Sequence, residues 1–226
     1  MTITKTVVTA LFWFSFALLI AAVEIESEGK WGWAEKAPTW YRVDGVAAKI
    51  YGALMSGKPL TGYHLVMFIF PLFIFHIPFF AGVQWTVKRE LMACAMYFAW
   101  CPLWDFLWFV LNPHYGIANF SKANVWWHAK SIWVAGLFPV DYLVAWIVSV
   151  GFAATSCKVG EKDWTPLKHH GITMGLFLIF TFASFVTVAP LYKRYYKTMR
   201  ERDDRPKAPI FHTLPQTIPD ILGKKE

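Results

Sequence analysis

The sequence predicts an all-α integral membrane protein: a bundle of about five transmembrane helices with a long first loop and an extended Pro-rich C-terminal tail. Three observations carry this prediction. Of 226 residues, 56% are apolar and 16% charged, against about 25% charged in a soluble domain. Aromatic residues make up 19%, with 20 Phe and 13 Trp, more than a soluble fold of this length can hide from water. Five stretches approach the roughly 20 apolar residues that a membrane helix needs. Disorder is excluded by the hydrophobicity. With only 3 Cys, so is a disulfide-built secreted module.

The first span covers residues 7–23, between Lys5 and Glu24. Ala21-Ala22-Val23 is a poor cleavage site, so the segment reads as a retained anchor. The second span covers 63–83. The third covers 91–111, between Lys88-Arg89 and Asn112-Pro113. The fourth covers 132–154 and the fifth 171–191. Trp85, Trp127, Trp164, Tyr192 and Tyr195 mark span ends as an interfacial aromatic belt. Residues 1–195 thus form the membrane domain, and 196–226 a basic, Pro-rich tail that builds no core of its own. Within the long first loop, residues 38–56 have the composition of a short interfacial helix.

Five spans place the 24–62 loop, the 112–131 loop and the tail on one side, with 16 of the 22 Lys and Arg. The positive-inside rule then makes that side, and the C-terminus, cytoplasmic. The expected location is a bacterial inner or intracytoplasmic membrane. Excess positive charge beside a bilayer fits anionic lipid heads, and no nucleic-acid partner is expected.

Ionisable residues inside a bilayer are costly and mark function or pairing. Steps of about 100° along the third span place Glu90, Cys94, Cys101, Asp105, Trp108 and Asn112 within a stripe roughly 60° wide. That stripe is expected to face the bundle interior. Glu24, His64, Asp105 and His128 all fall near the tail-side ends of their spans, with Asn112 and His114 nearby. Such a set has the mixed N/O character of a transition-metal site or of a proton-handling network. Asp105 and Asp141 are the candidate catalytic acids. Asp141 is expected close to the midplane, past a kink at Pro139.

His76, His169 and His170 are candidate ligands for a haem or a chlorophyll-like pigment. His64 and His76, roughly 120° apart on a helix, do not suit stacked haems. The cysteines read as small buried hydrophobes. Trp104 to Gly116, with Trp126-Trp127-His128, crowds rare residue types together without matching a known motif. No desaturase-type His cluster, retinal lysine, Walker A or His-Glu-x2-His pattern occurs.

Three functions follow from this reading. The first is an accessory subunit of a larger energy-transducing or oxidative membrane complex, contacting other membrane subunits through its tail. The second is a metal-dependent or redox-linked membrane enzyme with its acid/His site in the tail-side leaflet. The third is a haem- or pigment-binding subunit.

Overall fold

The structure, a computed structural model, describes residues 2–160 and 162–204. Among these residues lie seven α-helices: α1 (Ile3–Glu28), α2 (Val46–Leu54), α3 (Gly62–Phe80), α4 (Val87–Leu111), α5 (Val140–Ser156), α6 (Thr165–Val186) and α7 (Val188–Glu201). Two antiparallel ribbons of two-residue strands complete the order, β1 (Tyr41–Arg42) with β2 (Leu60–Thr61) and β3 (Trp133–Val134) with β4 (Phe138–Pro139). Four helices, α1, α3, α4 and α6, are long and apolar enough to cross a membrane. The outward faces of α1, α3 and α6 are rich in Leu, Ile, Val and Phe, as expected against lipid tails.

α4 is the axis of the bundle, packed against α1, α3, α5, α6 and α7. Its C-terminal half is buried nearly all round, through Leu103, Trp104, Leu107, Trp108, Phe109, Val110 and Leu111. α1 presents a small inner face to the bundle, because Ala10, Ala17 and Ala21 are all fully buried. Two polar side chains of the bundle are satisfied on neighbouring backbone. Trp100 Nε1 donates to the Trp13 carbonyl at 2.9 Å, and the Ser149 hydroxyl to the Ala95 carbonyl at 2.6 Å. Cys94, Cys101 and Cys157 are free thiols, with Cys157 buried.

Three boundaries differ from the sequence expectation. The first span does not stop at Val23: α1 continues to Glu28, because Glu24 and Glu28 turn inward and are buried. Residues 132–139, expected to open the fourth span, form the β3–β4 hairpin, where Ala135 (φ 48°) and Gly136 (φ 73°) make the turn. α5 therefore has 17 residues, a length of about 25 Å, short of the roughly 30 Å hydrocarbon core. Asp141 consequently sits in the first turn of α5 and not at the midplane, and Pro139 precedes that helix and does not kink it.

The fifth span runs from Thr165 to Val186 and breaks at Thr187 (φ −115°, ψ −63°) before α7. Pro190 explains the break, since it has no N–H for the Val186 carbonyl and its ring crowds that turn. Helix persists to Glu201, beyond the expected start of the tail, while the Pro-rich segment from 205 onward lies outside the described residues. α7 is tied to the end of α1: Arg200 pairs with the Glu26 carboxylate at 2.7 Å, and the Tyr192 hydroxyl reaches the Ala22 carbonyl at 3.4 Å.

The 29–61 loop and the 112–131 loop pack on each other over the ends of α1, α3 and α4. Asn112 Nδ2 donates to the Gly29 carbonyl at 3.0 Å. Gly32 lies against the Trp127 ring so closely that an added Cβ would meet ring carbons at 2.0 Å. Gly32→Ala is therefore expected to cost about 1–3 kcal/mol through overpacking, read as a lower unfolding temperature in detergent. Gly175→Ala, with open space around its Cβ position, should leave that temperature unchanged or raise it.

Candidate metal centre

The loops cap a cavity of about 110 Å³. By the rule that a water needs about 10–15 Å³ of such volume, it holds several waters or one small molecule. α1 contributes Glu24 and Glu28, α3 His64, α4 Cys101, Asp105 and Trp108, and α5 Asp141 and Tyr142. The loops add Trp33, Lys58, Trp127 and His128. The four residues singled out from sequence, Glu24, His64, Asp105 and His128, thus line one space. Asn112 and His114 do not line it. Asn112 is a clamp, its Oδ1 accepting from the His114 N–H at 2.9 Å. His114 meets Tyr196 edge to face, and burial, with Lys30 and Arg200 nearby, holds its imidazole below the usual range.

One wall of the cavity is Glu24, Glu28 and His64. Each offers one ligand atom, and the three atoms lie within 4.8 Å of one another. His64 Nε2 is 3.8 Å from Glu24 Oε1 and 3.8 Å from Glu28 Oε1, too far for hydrogen bonds. Ligand atoms around a tetrahedral ion with bonds near 2.1 Å stand about 3.4 Å apart, close to both separations from His64.

Supporting contacts hold each of the three groups. The Thr61 hydroxyl is 2.8 Å from His64 Nδ1, leaving Nε2 toward the carboxylates, the arrangement that orients a metal-binding imidazole. Trp33 stacks on the His64 ring at 3.9 Å. Trp104 Nε1 donates to Glu24 Oε2 at 2.9 Å, and the Ala34 N–H donates to Glu28 Oε1. Trp33 (φ 54°) and Ala34 (φ 52°) both take the left-handed conformation, which costs non-glycine residues energy and clusters at functional sites.

The opposite wall is a polar chain. Asp141 accepts from Ser56 at 2.6 Å, Lys58 at 3.0 Å and Ser131 at 3.1 Å. His128 lies beyond it, with Nδ1 3.4 Å from Asp141 Oδ2 and Nε2 3.7 Å from Asp105 Oδ2. Tyr142 donates its hydroxyl to Asp105. Asp105 remains 32% accessible, and the space it borders is this cavity. Four carboxyl groups therefore face one lysine and two imidazoles. With all four ionised, negative charge would be in excess even with both imidazoles protonated, so these enclosed groups call for protons or a cation.

The remaining candidates lie elsewhere. His76 has Nδ1 on the Leu72 carbonyl at 2.6 Å and Nε2 on Glu90 at 2.9 Å. His169 Nδ1 bonds Thr6 at 2.7 Å, and His170 Nε2 bonds Ser149 at 2.7 Å. These rings link helices to one another.

Sequence reasoning missed Glu28, Lys58 and Trp33. Glu28 had a signal: it stands four residues after Glu24, the spacing that places two side chains on one helix face, while Glu26 between them turns out to Arg200. Lys58 and Trp33 had none, because only the fold of the loop carries them inward. No known protein family, curated protein or solved structure shows a significant match to the chain.

Breaking one partner of a buried ion pair costs about 3–5 kcal/mol. Lys58 and Asp141, 2% and 17% accessible, should behave so. Lys58→Met is expected to lose that much stability in a denaturation series, and Lys58→Met with Asp141→Asn to lose clearly less than the sum of the single variants.

Proposed function

We propose that this chain is an integral membrane metalloenzyme whose ion is held by Glu24, Glu28 and His64. The observation that carries the reading is three buried ligand atoms within 4.8 Å, in a cavity where carboxylates outnumber cationic groups. Two carboxylates and one imidazole suit borderline or hard ions such as Zn²⁺, Mn²⁺ or Fe²⁺, whereas Cu(I) prefers thiolate and thioether donors. Three protein ligands leave an open position, as catalytic sites do.

An ion there polarises a bound oxygen or lowers the pKa of a bound water. Asp105, His128 and Tyr142 stand across the cavity as the acid–base groups for that chemistry, with Asp141 and Lys58 behind them. The cavity accepts water, a diatomic gas or the reactive end of a longer molecule. Whether the reaction is hydrolytic or oxidative follows from the identity of the ion.

The accessory-subunit reading drew on the tail, of which residues 205–226 fall outside the described residues. The metal reading takes precedence because its donors lie among the described residues. In both readings the tail side of the membrane is the cytoplasmic one, from the distribution of Lys and Arg.

Elemental analysis of protein purified gently from its native membrane tests this reading. A first-row transition metal is expected at one equivalent or more, with at least one equivalent lost in His64→Ala. The same metal content in parent and variant, or none in the parent, overturns it.

A further inference from the structure

We infer that the cavity holds a second metal ion, on Nε2 of His128 and the carboxylate of Asp105, so that the centre is dinuclear. The inference rests on the first ion proposed above and extends it to the opposite wall.

His128 is 2% exposed, and neither of its ring nitrogens has a hydrogen-bond partner. A buried imidazole left in that state needs an explanation, because buried polar groups are almost always satisfied. Its surroundings supply one. Nδ1 faces Asp141 at 3.4 Å, and Asp141 is fixed by Ser56, Lys58 and Ser131. Nε2 faces Asp105 at 3.7 Å across the cavity. A carboxylate behind one nitrogen and a donor-lined space before the other is the order of a carboxylate–histidine–metal unit.

The two walls match in this respect. His64 has Thr61 behind Nδ1 and acids before Nε2. His128 has Asp141 behind Nδ1 and an acid before Nε2. The separation of 3.7 Å between Nε2 and Asp105 Oδ2 is close to the 3.8 Å on the first wall, and both lie near ligand–ligand spacing about one ion. The Tyr142 hydroxyl donates to the same Asp105 oxygen, Oδ2, that faces His128.

Paired ions permit chemistry that a single ion does poorly. Two ions share a water or substrate oxygen between them and stabilise both the attacking and the leaving atom of a displacement. His128 and Asp105 then act as ligands of the second ion and not as a free acid–base pair.

Manganese titration of metal-stripped, detergent-purified full-length protein is the test, read by stoichiometry and by electron paramagnetic resonance. Wild type is expected to bind two Mn²⁺ per chain and to show the multiline spectrum of exchange-coupled ions. His128→Ala should bind one and show the six-line spectrum of an isolated ion. Asp141→Asn keeps every ligand and should bind the second Mn²⁺ about 10–100-fold more weakly. One uncoupled Mn²⁺ in wild type, retained in His128→Ala and lost in His64→Ala, overturns the dinuclear centre and leaves the first site standing. No bound Mn²⁺ in wild type overturns both.

Discussion

The constraint on which the rest of this structure depends is the gathering of buried Glu24 and Glu28 with half-buried Asp105 and Asp141 around one small cavity at the end of an apolar bundle. Carboxylates in such surroundings are tolerated only when paired, hydrogen-bonded or bound to a cation. Every loop on that side of the molecule answers this demand. The 29–61 loop delivers Lys58 to Asp141 and the Ala34 N–H to Glu28. The 112–131 loop delivers His128 between two acids. The β3–β4 hairpin follows Ser131 and sets the start of α5, which is why Asp141 and Tyr142 arrive in its first turn.

α4 makes that arrangement rigid. Its terminal turns are sheathed in aromatic rings, with Trp108 near Tyr115 and Trp127, and Phe109 stacked on Trp127 and close to Phe120. Such ring pairs contribute about 0.5–1.5 kcal/mol each beyond their buried area. They also fix Trp127, the neighbour of His128. The aromatic richness that first marks the chain as a membrane protein is therefore divided. Phe and Leu on the outer faces meet lipid, while the tryptophans of α4 and its loop form the floor beneath the polar cavity.

The sequence made the helical bundle legible because long apolar runs have few alternatives. It made part of the candidate site legible because Glu24, His64, Asp105 and His128 share a depth once helices alternate in direction. What it concealed has a common cause. Treating the first charge as the end of a span cut α1 before Glu28. Treating an apolar run as continuous carried the fourth span through a hairpin and set Asp141 inside a helix rather than in its first turn. In both places a tertiary contact decides the boundary: Glu28 stays helical because Ala34 receives it, and Ala135-Gly136 turns where an unbroken apolar run reads as helix. Lys58 lies in a loop whose path no periodicity encodes.

The strained turn at Trp33 and Ala34 shows how the loop and the centre depend on one another. Two consecutive left-handed residues, neither of them glycine, cost roughly 1–2 kcal/mol apiece by steric crowding. Within the turn the Glu35 N–H donates to the Gly32 carbonyl at 3.3 Å, a long bond that returns little. Three further contacts come from outside: the Ala34 N–H meets the Glu28 carboxylate, the Trp33 ring lies on His64, and Trp33 Nε1 donates to the Pro59 carbonyl at 3.0 Å. Two of these three contacts are made to the proposed ligands of the first ion. An ion that fixes Glu28 and His64 thus also fixes the groups that hold the turn. Through Pro59 the same turn positions Lys58, the cation nearest the second wall. The 29–61 loop thus carries contacts to both walls of the cavity, through Trp33 and Ala34 to the first and through Lys58 to the second.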